Sequence, residues 1–172
     1  MIKTAEGVKI YFVTIPEHKF LHIKHYESNG YWDFWRKQDE IPGCDCDTIC
    51  GLLDSIKGNL DEVGHIMARL NEEACERPPE AYGIRLPADY KGDATPQMLL
   101  IDVPEGEYIV FEHGPFDYEQ ENCSVESKLI AAMNDFDYSD TDHCLDEASG
   151  RVYYFYHKPE QYWKYIKPVK KN

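Results

Sequence analysis

The sequence predicts an α+β fold with an antiparallel sheet and helices on one face. Strand-like segments come in pairs, and each pair precedes a helical pattern instead of alternating strictly with helices. Residues 107–118, EYIVFEHGPFDY, and residues 19–31, KFLHIKHYESNGY, also share one scheme. In both, a β-like run ends in a histidine and an acid and then reaches a glycine and aromatic residues. We therefore expect a duplicated unit with a shared groove.

In the first half, strands surround two short helices. Residues 8–15 are β-branched and aromatic up to Pro16, and residues 20–26 alternate. The helical spacing of Tyr31, Phe34 and Trp35 predicts a helix that ends at Pro42-Gly43, and the stripe from Ile49 to Ile56 predicts a second. The elements expected are strands at 8–15 and 20–26, helices at 31–40 and 45–57, a turn or loop at 72–79, and strands at 65–71 and 80–86.

The second half repeats the pattern around one longer helix. A tight turn at Pro104-Glu105-Gly106 separates two strands. Apolar residues at helical spacing predict the helix, and polar residues at 137–142 predict a loop. The apolar stripe expected is Val125, Leu129, Ile130 and Met133. The elements expected are strands at 97–103 and 107–113, a helix at 122–136, and strands at 143–146, 151–157 and 161–169.

The size and composition fit one domain, residues 1–172. Hydrophobic residues make up 42% of the 172 residues, enough for a core, and the mean hydropathy is −0.60. The sequence contains no apolar run of about 20 residues that could span a membrane. Its first residues lack the basic flank and apolar core of a secretion signal. These features predict a cytoplasmic protein.

The net charge of −14 argues against direct binding to nucleic acids or anionic membranes, because such binding depends on basic side chains. The same charge favours cationic ligands. Aromatic residues make up 13% of the chain, and tyrosine can stack on planar ligands. The composition therefore allows a site for a planar or cationic small molecule.

The six cysteines lie at positions 44, 46, 50, 75, 123 and 144. Their spacing lacks the paired knuckles and added histidines of zinc sites. Cys46 and Cys50 are four residues apart, so on a helix they share a face. We expect small buried thiols in a reducing compartment, with no metal and no cofactor.

Four stretches, spread from about residue 9 to residue 171, resemble a known family: KFLHIKHYESNGYWDFW, YGIRLPADYKG, PQMLLIDVPEGEYIVFEHGPFDYEQEN and YYFYHKPEQYWKYIKPV. They are similar to the effector-binding domain of many AraC-type transcription regulators. This GyrI-like group includes the drug-sensing halves of multidrug-responsive regulators. The resemblance implies two pseudo-symmetric βαββ-type halves, a curved antiparallel sheet and a central groove for lipophilic or aromatic cations.

Two departures from that family affect the expected site. The chain has no room for the DNA-binding domain that precedes the effector domain, so we expect a stand-alone module, or a piece of a longer regulator, with a possible regulator partner. Many members also carry a pocket glutamate in one of the last two strands, where this chain has tyrosine and lysine. Glu112 is the nearest candidate for the missing counter-charge, with Asp117, Glu119 or Glu121 behind it.

The expected ligand site combines Glu112 with an aromatic cage. Glu112 shares a strand face with Tyr108 and Val110, and aromatic faces hold cations. One of the tryptophans on the first helix would pack on the sheet and the other would cover the groove. The aromatic candidates are Trp32, Trp35, Tyr82, Tyr154, Tyr156, Trp163 and Tyr165.

We therefore predict a small-molecule binding domain rather than an enzyme, with no catalytic residue. Two alternatives stay open. A GyrI-like hydrolase of a reactive small molecule would use Glu112 with Tyr154 or Tyr156, and a protein-interaction or inhibitor protein would use the acidic surface. His25 and His113, at equivalent strand ends, could form a proton-transfer pair, but strand-end histidines are more often capping or surface residues.

Overall fold

The computed structural model describes residues 3–25, 28–71, 80–148 and 150–172. Within these ranges the chain forms ten strands, three α-helices and one short 3-10 turn at Tyr138–Asp140. The strands are β1 (Lys3–Ala5), β2 (Val8–Ile15), β3 (His18–His25), β4 (Ile66–Leu70), β5 (Glu80–Pro87), β6 (Leu99–Val103), β7 (Gly106–His113), β8 (His143–Leu145), β9 (Val152–Lys158) and β10 (Tyr162–Lys171). The helices are α1 (Tyr31–Asp39), α2 (Cys46–Asp54) and α3 (Tyr118–Asp135).

The chain divides into two compact units. The terminal unit contains residues 1–15, 105–147 and 153–172, and the central unit contains residues 16–104 and 148–152. Strands in the terminal unit pair in the order β1-β2-β7-β10-β9, with β8 also on β10, and those in the central unit pair in the order β4-β5-β3-β6. The pairings described within each unit are antiparallel. The α+β class and the antiparallel pairing are confirmed.

The two units repeat one topology. In the central unit β3 is followed by α1 and α2 and then by β4 and β5, and in the terminal unit β7 is followed by α3 and then, after the short β8, by β9 and β10. Strand orders β6-β3-β5-β4 and β2-β7-β10-β9 correspond term by term. The predicted βαββ duplication is confirmed. Each unit adds one strand from outside its βαββ repeat. In the central unit this strand is β6, which follows the repeat in the chain, and in the terminal unit it is β2, which precedes the repeat.

Helix α3 starts four residues earlier than the apolar pattern predicts. Asp117 accepts a hydrogen bond from the Gln120 backbone N–H at 3.0 Å, and the Glu121 carboxylate accepts one from the Asp117 N–H at 2.7 Å. This reciprocal arrangement satisfies two otherwise unpaired backbone donors. The first turn is polar, so the apolar stripe did not reveal it.

Each unit has its own core between its helices and one face of its strands. Val125, Leu129 and Ala132 of α3 are buried against the terminal strands, and Ile49 and Leu53 of α2 are buried against the central ones. Ile130 was expected in the stripe of α3 but is 43% exposed. It follows Leu129 by one residue and therefore points about 100° away from it around the helix.

Candidate functional site

Glu112 lies between two lysines on the terminal sheet. It is opposite Lys9 on β2 and opposite Lys164 on β10, and side chains directly opposite each other point to the same side of a sheet. Lys164 Nζ lies 3.5 Å from Glu112 Oε1. One lysine thus pairs with Glu112 and a second lies directly opposite it, and the local charge does not favour a further cation.

A shallow cavity of about 230 Å³ adjoins Glu112. Gly114 lies on its wall at a close backbone approach, because a Cβ there would overlap the Gln161 carbonyl oxygen. The exposed Lys9 and the ring of Tyr162 complete its polar and aromatic sides. The size suits a small polar molecule better than a bulky aromatic one. The lining residues are Lys9, Glu112, Gly114, Pro115, Gln161 and Tyr162.

Tyr154 and Tyr156 share the sheet face of Glu112. Tyr156 is opposite Lys164, which is opposite Glu112, so the three side chains form a row. Lys164 Nζ lies 5.7 Å from the centre of the Tyr156 ring, and Tyr154 is 99% buried, with its ring 6.5 Å from that of Tyr108. In this row Tyr156 contacts a lysine of the protein itself.

Trp163 and Tyr165 lie on the other face, beneath α3. Their partners across β9 are His157 and Phe155, which point toward the core. The Trp163 ring is 4.4 Å from that of His157 and 5.5 Å from that of Phe155, and only 5% of Trp163 is exposed. The aromatic candidates of the terminal unit therefore do not converge on one cage, because strand alternation separates Trp163 and Tyr165 from Tyr154 and Tyr156.

The remaining aromatic candidates lie in the central unit. The rings of Trp35 on α1 and Tyr82 on β5 meet edge to face at 4.8 Å, and Trp35 is 5% exposed. Trp32 is 83% exposed, and its ring lies 5.3 Å from that of Tyr31. One tryptophan of the first helix, Trp35, packs on the sheet as expected, whereas the prediction that the other covers a groove stays a prediction, since Trp32 is largely exposed. Tyr31, also close to Trp35 at 6.5 Å, connects the buried pair with the surface.

Tyr82 also belongs to a chain of polar contacts. Its hydroxyl lies 2.9 Å from His65 Nδ1 and 3.6 Å from Cys50 Sγ, while His65 Nε2 lies 2.7 Å from Asp54 Oδ1. Burial and the neighbouring Cys50 raise the pKa of Tyr82. The hydroxyl therefore stays neutral and acts as a hydrogen-bonding group.

Glu80 is a site residue that the sequence patterns did not single out. It lies two residues before Tyr82 on the same face of β5, and its side chain is 6% exposed. Oε1 accepts hydrogen bonds from the Gly30 N–H at 3.0 Å and from Arg69 at 3.3 Å. Oε2 is buried and has no hydrogen-bond partner among the residues that the structure describes. A buried carboxylate with an unused acceptor thus lies beside the start of α1, the helix that carries Trp35.

Comparisons with known proteins find the same fold in several solved structures. No protein-family model matches the chain, and no curated protein is similar to it in sequence. Among solved structures, the C-terminal domain of EcmrR is 13% identical, with a TM-score of 0.56 over 96% of this chain and 99% of that domain. SAV2435 bound to tetraphenylphosphonium is 16% identical, with a TM-score of 0.56 over 94% of this chain and 93% of that one. A hydrolase from Listeria innocua is 15% identical, with a TM-score of 0.53 over 94% and 91%.

The chain shares its fold with these solved structures, as the resemblance to the GyrI-like group implies. Of the two histidines considered for proton transfer, only His113 has a side chain that the structure describes. His113 lies near Phe116, at 6.4 Å between rings, and burial lowers its pKa. The side chain of His25 lies outside the described residues. His113 points to the α3 side of β7, away from the Glu112 face, because neighbouring residues of a strand alternate.

Among the residues that the structure describes, no group of three His, Cys, Asp or Glu side chains could hold a metal ion. Cys75 lies outside those residues. No helix in the described ranges is long and apolar enough to cross a membrane.

Proposed function

We propose that the protein binds a small lipophilic cation through aromatic contacts and a buried carboxylate, as an effector- or drug-binding module. We assign the ligand to the central unit, to a cluster of Trp35, Tyr82 and Glu80. The observation that carries the proposal is Glu80 Oε2, a buried acceptor without a partner in the described part of the chain, on the same face of β5 as Tyr82, whose ring packs edge to face on Trp35.

The chemistry of this cluster favours a cation over an anion. Aromatic faces attract cations, and a carboxylate in a water-poor setting adds a Coulomb term. For a charge roughly 5 Å from Glu80 and an effective dielectric constant of about 20, that term is about 3 kcal/mol. Arg69 offsets part of it, although its side chain is 59% exposed and its charge is therefore largely screened.

The ligand reaches the buried pair from the exposed end of α1. Tyr31 and Trp32 are both exposed, and the ring of Tyr31 adjoins those of Trp32 and Trp35. Since Trp35 is buried in the described structure, its ring or that of Tyr31 must shift to admit a ligand. The aromatic side chains on α1 then change environment on binding, which makes tryptophan fluorescence a suitable signal.

Glu112 is the second candidate for the counter-charge. The cavity beside it supports a role in binding, but Lys9 and Lys164 compensate its charge. A site of this composition suits a zwitterion or an anionic group better than a lipophilic cation. We therefore place Glu80 ahead of Glu112 for the cation and keep Tyr154 and Tyr156 with Glu112.

The comparisons agree with a ligand-binding module. SAV2435 was solved with a lipophilic aromatic cation, and the EcmrR domain is named as the C-terminal part of a larger protein. A transcription regulator that acts with this chain is part of the proposal, as are a cytoplasmic location and the lack of direct binding to DNA or membranes. The acidic net charge supports the lack of direct binding to DNA and to anionic membranes.

Titration with tetraphenylphosphonium tests the proposal. We expect saturable quenching of tryptophan fluorescence, retained in a Trp163→Phe variant that leaves Trp32 and Trp35 as the reporters. Tetraphenylborate, an anion of similar shape, is the matched control and is expected to bind much more weakly. Equal binding of both ions, or binding of neither, would contradict the proposal. Release of a product from a reactive substrate would instead support the hydrolase alternative.

A further inference from the structure

Helix α2 carries two thiols at close range. Cys46 Sγ and Cys50 Sγ lie 3.8 Å apart on one face of the helix, and both residues are half-buried. Tyr82 Oη lies 3.6 Å from Cys50 Sγ on the sheet side. The pair is thus accessible from outside and contacts an aromatic hydroxyl on the inside.

The hydrogen bonds around the thiols can all run in one direction, from Cys46 toward Asp54. The carboxylate of Asp54 can only accept, so a neutral His65 places its proton on Nε2, and its Nδ1 accepts the Tyr82 hydroxyl hydrogen. The Tyr82 oxygen can then accept from Cys50, and Cys50 from Cys46. This order fixes the rotamers of both thiols before any ligand arrives.

The sulfur separation distinguishes a disulfide from a bridge through one atom. A disulfide needs about 2.05 Å between the sulfurs, so the pair would have to close by more than 1.5 Å on a regular helix. Two bonds of about 2.3 Å, the length found for metal–thiolate bonds, span about 3.8 Å at a tetrahedral atom and about 3.5 Å at a pyramidal one with angles of roughly 100°. The observed spacing therefore fits one bridging atom with little movement.

The number of sulfurs selects the kind of bridging atom. Among the described residues no third His, Cys, Asp or Glu completes a metal site. A bare metal ion would keep most of its coordination open. A trivalent organoarsenical has one bond to carbon and needs two thiols to complete its valence. The aromatic rings of Tyr31, Trp35 and Tyr82 in the same unit suit an aryl group on that carbon.

We propose that Cys46 and Cys50 form a dithiol site that captures a trivalent aryl arsenical. An arsenoxide R–As=O condenses with the two thiols to give R–As(S-Cys)₂ and one water. Two As–S bonds form, the arsenic–oxygen bond breaks, and both thiol protons leave in the water. No atom changes oxidation state, and no proton is released to the solvent.

The protonation state of Cys46 agrees with this reaction. Burial and the adjacent Cys50 raise the pKa of Cys46 to about 11, so the thiol keeps its proton at neutral pH. Capture of a metal cation would have to release these protons and would depend strongly on pH. Condensation with an arsenoxide consumes them internally and is expected to vary little between pH 6.5 and 8.

Titration with phenylarsine oxide, followed by intact mass and by counting the remaining thiols, tests the site. We expect one phenylarsenic group per chain, the loss of two of six reactive thiols, and reversal by an added small dithiol. Cys46→Ser and Cys50→Ser should each lower the affinity at least about 100-fold, because one thiol lacks the chelate effect. Cys44→Ser, Cys75→Ser and Cys123→Ser should bind as the wild type does.

Full binding of phenylarsine oxide by either the Cys46→Ser or the Cys50→Ser variant would refute the proposed site, as would loss of binding in the Cys44→Ser or Cys75→Ser variant. Tight capture of cadmium without capture of the arsenical would also refute it. Circular dichroism of both serine variants shows whether they fold, and Cys50→Ala serves if Cys50→Ser does not. The aryl group shares the rings of Trp35 and Tyr82 with the proposed cation site, but the thiols belong to the arsenical site alone, so Cys46→Ser is expected to leave tetraphenylphosphonium binding unchanged.

Discussion

Replacing Trp163 with alanine is expected to weaken folding without weakening ligand binding. The side chain is 95% buried beneath α3, against the rings of Phe155 and His157. A tryptophan that buries about 200 Å² contributes roughly 5 kcal/mol at 25 cal/mol per Å², which is an upper value. Measured Trp→Ala changes in cores cost about 3–5 kcal/mol, and we expect that range here.

Urea unfolding followed by circular dichroism measures the loss, and titration with tetraphenylphosphonium under native conditions measures the affinity. Trp163→Phe fills most of the volume and is expected to cost about 1–2 kcal/mol, which keeps the comparison possible if the alanine variant unfolds. The dissociation constant should stay within about twofold in the folded variant. A tenfold loss of affinity with a stability change below about 1 kcal/mol would place Trp163 in a ligand cage and refute the assignment to the core.

Two other predictions concern stability. Asp61→Asn breaks a buried, bidentate contact with Arg85, at 2.7 and 2.8 Å, and should lower the free energy of unfolding in urea by about 3–5 kcal/mol. Asp102→Asn, at an exposed ion pair with Lys19, is the control and should lower it by less than about 1 kcal/mol. Equal losses in the two variants would contradict the burial argument. Burial lowers the pKa of His113 and of His157, so the unfolded chain binds more protons, and stability should be complete above about pH 6.5 and fall as the pH drops through the lowered values. Thermal melts from pH 8 to pH 5 check this. If a His157→Gln variant loses stability with falling pH as steeply as the wild type does, His157 does not contribute to the pH dependence.

The elements and their duplication could be predicted from sequence because local patterns determine them. Alternation and β-branched residues identified the strand at 8–15, and helical spacing identified α2. The start of α3 was hidden because a polar capping turn has no apolar stripe. The short strand β1 was missed for a related reason, since three residues cannot show a period.

The ligand site was harder to predict because it depends on register between distant strands. Alternation correctly separates Tyr154 and Tyr156 from their neighbours, but only the pairing of β9 with β10 shows that Trp163 faces the same core as Phe155. Glu80 follows a polar stretch and resembles a surface acid in sequence. Its burial results from packing at the start of α1, where Gly30 donates to it across 50 residues of chain.

The affinity of a Glu80→Gln variant for tetraphenylphosphonium tests the central proposal most directly. Glutamine keeps the oxygen that accepts from Gly30 and removes only the charge, so the fold should be retained, and circular dichroism checks this. Loss of a Coulomb term of about 3 kcal/mol, partly offset by Arg69, predicts affinity at least about tenfold weaker, with Glu112→Gln within about threefold of the wild type. Unchanged affinity in Glu80→Gln, or a large loss in Glu112→Gln alone, would contradict the assignment of the cation to the central unit.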